Sequence, residues 1–164
     1  MTVADLFDTK LRQRKRALDE GLDLIGWSFD PLDADAARVF IAQLGAVVER
    51  YLPAEDRLVA EWWIREPHVE RRLSTLGKLT LRDREAAAAP VIRRDQEPVI
   101  GDQRGGSNPA PRRVWVEIPL RPDESWRDHI RDVFTTYMVR RYRIVDFVID
   151  NPNGVGRYLL ALKE

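Results

Sequence analysis

The segment "LDLIGWSFDPLDADAARVFIAQLGAVVERYL", Leu22 to Leu52, predicts a strand, a tight turn and a helix in immediate succession. Pro31 ends the strand, because proline lacks the amide hydrogen that a strand ladder needs. A stripe of apolar residues at helical spacing then predicts a helix over Ala36 to Tyr51. Side chains alternate along the strand, so one face carries Ile25, Trp27 and Phe29.

The rest of the chain alternates predicted helices and strands around this segment, and "NPNG" between two apolar runs predicts a hairpin. Together they predict an α+β fold in a single domain, residues 1–164, with a mixed sheet of about five strands and three to four helices. Residues 78–96 show no clear pattern, and a flexible loop is expected over about 96–112. The other predicted elements are a helix over Asp5 to Glu20, a strand in "DRLVAEWWIRE", a short helix in "HVERRLSTLG" ending at Gly77, a strand in "RRVWVEIPL", a helix in "SWRDHIRDVFTTYMVRRY", and strands in "RIVDFVID" and "GRYLLALKE".

Composition is that of a soluble globular protein, with 44% hydrophobic and 33% charged residues. Lys+Arg and Asp+Glu both number 27, so no net charge favours nucleic acid. The chain has no cysteine and 2 histidines, which argues against a thiolate or histidine-rich metal centre. It contains neither a signal-peptide pattern nor an apolar run of the roughly 20 residues that span a membrane. We therefore expect a cytoplasmic protein that binds no metal, nucleic acid or membrane.

Several strings carry a family resemblance: "IGWSFDPL" followed by "AQLGAVVERYLP" and "DRLVAEWW", and later "VWVEIP" and "YRIVDFV". Together they resemble a family of predicted N-acetyltransferases within the GNAT superfamily, over roughly Leu11 to the C-terminus. The resemblance implies a partial GNAT-like sheet and an acyltransferase-like protein of bacterial specialised metabolism, acting on a small amine or acyl substrate. The matching part is the back portion of such an enzyme, so we expect a homodimer or a partner protein to complete the sheet.

The cofactor is not determined by the resemblance. In the family, a glycine-rich loop at the start of a helix holds acyl-CoA through backbone amides. The matching helix is Asp5 to Glu20, and "MTVAD" stands where that loop is expected. The position of the family's proton-donating tyrosine, counted back from Gly45, holds Ile41. For "GDQRGGSNP", residues 101–109, a surface loop is favoured over a phosphate loop, because Pro109 and Pro111 prevent a following helix.

Three predicted strands carry an acid where a neutral residue is expected: Glu61, Glu117 and Asp146. If these strands are neighbours, their carboxylates converge and serve as catalytic acid and base or orient an amine. The alternative is that each acid lies on a solvated sheet face and pairs with an arginine.

Four residues are predicted to bind substrate: Trp27 and Trp62 as apolar pocket walls, Asp30 at the end of its strand, and Arg57 just before the strand "LVAEWW". For the tryptophans the alternative is a core role, and for Arg57 a structural ion pair with Asp30 or Glu61. The basic run "RQRKR", Arg12 to Arg16, lies near the CoA phosphates in the family, but it also fits a solvated helix face.

Three functions compete. The first is a GNAT-fold acyltransferase completed by a second copy or a partner chain. The second is a non-catalytic interaction subunit whose sheet edge binds another protein. The third is a scaffold that performs CoA-independent chemistry in a pocket of acids and tryptophans.

Overall fold

The segment that begins at Leu22 folds as strand, helix and strand, so the predicted helix from Ala36 to Tyr51 is wrong in its second half. The helix ends at Gln43, and Val47–Leu52 forms a strand instead. Gly45 separates the two with a φ of +79°, a left-handed conformation that glycine adopts without strain and that ends helices. Beyond it, "VVERYL" is rich in β-branched and aromatic residues, which favour a strand.

The structure is a computed structural model that describes residues 2–74, 84–101 and 109–163, of which 84 and 85 are described by their backbone. Gly77, the predicted end of one helix, and most of "GDQRGGSNP" lie outside these ranges. The helices are α1 (Val3–Asp19), α2 (Ala34–Ala37), which continues as a π-helical segment (Arg38–Gln43), α3 (Pro67–Ser74), α4 (Arg84–Ala87) and α5 (Arg127–Met138), which follows a 3₁₀ turn (Glu124–Trp126). The strands are β1 (Leu24–Phe29), β2 (Val47–Leu52), β3 (Arg57–Trp63), β4 (Val91–Ile92), β5 (Arg113–Pro119), β6 (Tyr142–Asp150) and β7 (Val155–Leu162).

The strands form one mixed sheet in the order β1-β3-β2-β6-β7-β5-β4. Neighbouring strands are antiparallel except β4 and β5, which are parallel. The α+β class is confirmed, with a sheet of 7 strands rather than about five. The additional strands are β2, which the sequence predicted as helix, and β4, which lies where the sequence showed no clear pattern.

The sheet consists of two halves with the same connectivity, residues 24–63 and 113–162. Each half runs strand, helix, strand, strand, and its last strand lies between the other two. The halves meet where β2 pairs with β6, with Val48 opposite Ile144. Directly after this pair, both strands shift register against their hairpin partners, which marks a bulge in each.

One face of the sheet carries the main core, which receives side chains from α1, the π-helical segment and α5. We call the opposite face the open face. Over β5 and β7 the open face is covered by α4, where Ala86 packs on Trp115 and Leu159. Over β1 and β3 the open face exposes Leu24 and Trp63, each at 39%. None of the described helices is long and apolar enough to cross a membrane.

Candidate binding groove beside β1

The three acids predicted to form one patch lie on strands that do not neighbour one another. Glu61 is on β3, Asp146 on β6 and Glu117 on β5. In the sheet, β2 lies between β3 and β6, and β7 lies between β6 and β5. Four strand spacings therefore separate Glu61 from Glu117, which corresponds to roughly 19 Å. The topology keeps these carboxylates apart.

Two of the three acids are held by arginines. Glu117 is buried and accepts a hydrogen bond from Nε of Arg157 at 2.8 Å, while Nη1 of Arg157 donates to Asp150 at 3.1 Å. Asp146 accepts from Nη1 of Arg72 at 3.0 Å. Both acids pair with an arginine, as the structural alternative expected, although Glu117 is buried and not on a solvated face. Their catalytic roles stay predictions.

Glu61 and Arg57 both lie on the open face of the sheet. Glu61 is half-buried opposite Gly26 of β1 and Val47 of β2, and no described residue forms an ion pair with it. Arg57 was predicted to bind substrate, with an ion pair to Asp30 or Glu61 as the alternative. Its Nη2 donates to the Ser28 carbonyl at 2.7 Å and its Nε to the Ser28 hydroxyl at 3.3 Å. Arg57 therefore fastens the end of β1 to β3.

Asp30 belongs to a group of charges that joins the two halves of the sheet. Its two oxygens accept hydrogen bonds from Nη1 and Nη2 of Arg127, each at 3.0 Å. Arg127 also binds Glu124, with Nε to Oε2 at 2.6 Å, and the buried Asp56. The hydroxyl of Tyr51 donates to the other oxygen of Asp56. We call Asp30, Asp56, Glu124 and Arg127 the carboxylate clasp.

Contacts at the clasp shift the pKa of Asp30 and that of the neighbouring Tyr51 in opposite directions. Burial raises the pKa of the Asp30 carboxyl, but hydrogen bonds from Arg127 and from the Leu32 amide outweigh it, so this pKa lies below its ordinary value. Burial and the bond to Asp56 raise the pKa of the Tyr51 hydroxyl well above its ordinary value. Neither group is poised for proton transfer near pH 7, which favours a structural role.

The two tryptophans predicted as pocket walls have different surroundings. Trp62 is 0% exposed and its indole N–H donates to the Leu44 carbonyl at 2.8 Å, which favours the core alternative. Trp27 is half-buried, with its ring edge-to-face against Phe40 at a centroid distance of 4.9 Å. Its buried indole nitrogen has no acceptor in the described part of the chain. Trp27 is thus the predicted wall that borders a groove.

Lys10 is a residue of this groove that the sequence analysis missed. Although it is a lysine, it is 9% exposed, and its Nζ lies 3.6 Å from the centroid of the Trp27 ring. Nζ donates to Oε1 of Gln13 at 3.1 Å, and within the described ranges it pairs with no carboxylate. Burial lowers the pKa of the Lys10 ammonium, because partial removal from water disfavours the charged form. The helical spacing of the sequence indicates this position. Lys10 follows Phe7 by three residues and precedes the buried Ala17 by seven, so all three lie on the inward side of the helix.

The groove lies between α1 and β1 and has a volume of about 360 Å³, within the range of ligand clefts, about 300–1,000 Å³. Since β3 flanks β1 on its other side and contributes nothing to the lining, the groove runs beside the outer edge of β1. We call that side of β1, away from β3, the free edge. The lining residues are Lys10, Gln13, Arg16, Ala17 and Glu20 of α1, and Ile25, Gly26 and Trp27 of β1.

The first turn of α1 does not favour a phosphate. The Thr2 hydroxyl accepts from the Asp5 amide at 3.1 Å, and the Asp5 carboxylate accepts from the Thr2 amide at 3.0 Å. This capping box occupies donors that would otherwise meet an anion, and it places a negative charge there. The cations nearest the groove are instead Lys10 and Arg16.

Comparisons of the chain with family models, with curated proteins and with solved structures found no match. Within residues 2–74, 84–101 and 109–163, no group of three or more His, Asp or Glu side chains could hold a metal ion. The candidate site therefore stands on its own geometry: a groove, a free strand edge, and a buried cation over an aromatic ring.

Proposed function

We propose that the protein is an interaction subunit that binds an extended segment of a partner protein, which adds as a strand to the free edge of β1 in the groove beside α1. The observation that carries the proposal is that an edge strand without a neighbour on one side, among the residues that the structure describes, and a groove of about 360 Å³ occur together. Strand addition is a recurrent mode of peptide recognition, in which main-chain hydrogen bonds provide affinity and side-chain contacts provide specificity.

The composition of β1 supports this proposal. Its sequence, "LIGWSF", contains no charged residue and no proline, the two features that most often keep an edge strand from pairing. Since alternate residues of an antiparallel strand bond to each side, the free edge offers the N–H and C=O groups of about three residues. These groups form a ready template for an incoming strand.

The surroundings of two predicted catalytic acids and of the predicted substrate-binding Asp30 also support a binding role, whereas Glu61 forms no ion pair with a described residue. Glu117 and Asp146 are held by arginines, and Asp30 is part of the carboxylate clasp. A carboxylate oxygen that accepts a charge-assisted hydrogen bond from a guanidinium is not free to grip an amine. The interaction-subunit hypothesis therefore has more support than catalysis by these residues.

The test uses a displayed library of random peptides of about twelve residues, selected on the immobilised protein. The best peptide is then synthesised in two N-methylated forms, each methylated at alternate residues. Methylation of the amides that face β1 removes two or three hydrogen bonds of about 1 kcal/mol each, so affinity falls about a hundredfold. Methylation of the intervening amides is the matched control and leaves affinity nearly unchanged. Equal affinity of both methylated forms would refute strand addition.

The acyltransferase implied by the sequence resemblance is a second candidate. One observation favours it: Trp27, a predicted substrate wall, and Arg16, from the basic run that lies near CoA phosphates in the family, border the same groove. Calorimetric titration with acetyl-CoA and with CoA, with the oligomeric state recorded alongside, tests this candidate. Micromolar binding that Arg16→Ala weakens supports it, and no binding at millimolar ligand removes it.

A further inference from the structure

The side chain of Lys10 is a buried cation without a counter-ion. It lies on the inward side of α1 and is 9% exposed. Its ammonium donates to the amide oxygen of Gln13 and lies over the ring of Trp27. Burial of an ammonium without a carboxylate costs free energy of folding, and a methionine of similar shape would avoid that cost. A cation in this state gains most from an anion that arrives with a ligand.

We infer that Lys10 selects an acidic side chain, Asp or Glu, in the segment that adds to β1. This inference rests on the proposed function and names the class of partner. The acid is expected opposite Trp27 on the added strand, since the Trp27 ring centroid lies 3.6 Å from Nζ of Lys10. A residue directly opposite Trp27 on an added strand has its Cβ about 5 Å from the Cβ of Trp27, so its carboxylate reaches the ammonium.

The charges of the groove favour this occupant. The lining contains two cations, Lys10 and Arg16, and one acid, Glu20. In the described structure none of the three forms an ion pair. The incoming carboxylate forms a charge-assisted hydrogen bond with the ammonium, which is about twice as strong as a neutral one.

A second copy of the chain supplies no such acid from the corresponding strand. The side of β1 that faces the groove carries Ile25, Trp27 and Phe29, all apolar. If β1 paired with β1 of a second copy, both Lys10 ammonium groups would therefore remain without a carboxylate at the interface. The expected occupant is an acidic segment of a different protein.

The experiment repeats the selection of displayed peptides on three proteins: wild type, Lys10→Met and Lys15→Met. Lys15 is exposed on the same helix, so Lys15→Met removes the same charge away from the groove. Asp or Glu is expected at one fixed position in the pools from wild type and Lys15→Met, and not in the pool from Lys10→Met. Replacing that acid by its amide weakens binding to wild type about tenfold, because the ammonium then meets a neutral acceptor instead of a carboxylate. The same replacement leaves binding to Lys10→Met unchanged.

Each outcome separates the inference from the proposed function. If Lys10→Met keeps the tenfold preference while N-methylation still abolishes binding, the selection of an acid by Lys10 is refuted and strand addition stands. If N-methylation has no effect, both fall. Lys10→Gln is a second neutral variant, and the same loss of preference is required of it if Lys10→Met does not fold.

Discussion

The two edges of the sheet differ in length, charge and surroundings. β4, at one edge, has 2 residues, follows Pro90 and is followed by Arg93 and Arg94. β1, at the other edge, has 6 residues with no charge and no proline, and a groove runs along it. Short length, proline and charge are the usual means by which proteins prevent edge pairing. Proline and charged residues flank both edges, since Asp23, Asp30 and Pro31 lie next to β1, but only β4 is also short.

The likeness of the two halves makes this difference informative. By connectivity, β1 in the first half corresponds to β5 in the second, since each begins its half and pairs with the half's last strand. β5 is covered on its outer side by β4, whereas no described strand covers β1. The same position is closed in one half and open in the other, so the open one is where a partner strand is expected.

The largest expected effect comes from the carboxylate clasp, which joins the two halves. Arg127→Met leaves the buried Asp56 without its cation, so the free energy of unfolding is expected to fall by about 3 kcal/mol. Urea unfolding measures the change, and Arg121→Met, at an exposed position, is the control with a change within about 0.5 kcal/mol. An unchanged midpoint for Arg127→Met would show that the clasp does not join the halves.

Making the edge of β1 resemble that of β4 is expected to weaken binding. Leu24→Lys introduces a charge at an exposed position of β1, so affinity for the selected peptide falls about fivefold. Val139 is an exposed apolar residue after α5, so Val139→Lys makes the same chemical change away from β1. Fluorescence titration compares the two variants, and an equal effect of both would place the peptide elsewhere.

Lys10, which is proposed to serve binding, is expected to lower the stability of the free protein. Lys10→Met removes an unpaired buried ammonium, so the free energy of unfolding rises by about 1 kcal/mol. Lys15→Met, at an exposed position of the same helix, changes it by less than about 0.5 kcal/mol. Chemical denaturation at pH 7 measures both. A loss of stability for Lys10→Met would mean that the ammonium already has a favourable partner.

The smallest expected effect concerns a buried group whose hydrogen bonds are satisfied. The hydroxyl of Tyr137 accepts from the Val99 amide at 2.8 Å and donates to its carbonyl at 3.0 Å. Burial raises the pKa of Tyr137 from 10.0 to about 12. Because the folded state holds the neutral phenol, this contribution to stability is complete below pH 10.0 and is lost as the pH rises towards 12. Phenolate absorbance follows the titration, and Tyr137→Phe is expected to make stability fall less steeply with pH over this range.

Much of the fold could be predicted from the sequence, because its signals are local. The alternation over 24–29, the hairpin "NPNG" and the amphipathic pattern of α5 each depend on neighbouring residues. β2 could not be predicted in the same way. Its valines continue the apolar spacing of the preceding helix, and the break at Gly45 depends on a positive φ that a helical pattern does not reveal.

The candidate site was harder to predict, because it depends on strand order. Glu61, Glu117 and Asp146 were expected to converge if their strands were neighbours, and pairing between distant strands decides that question. Trp27 was predicted to line a pocket together with these acids, whereas the groove that it borders contains none of them. Lys10 was missed because its significance depends on the Trp27 ring beneath it, a contact between a helix and a strand.

Amide hydrogen exchange, with and without the selected peptide, tests strand addition most directly. Amides at the free edge of β1, within residues 24–29, are expected to become protected when the peptide binds, because they enter a new ladder. Amides of β4 are expected to keep their rates. Binding of the peptide with no added protection in β1 would contradict the account.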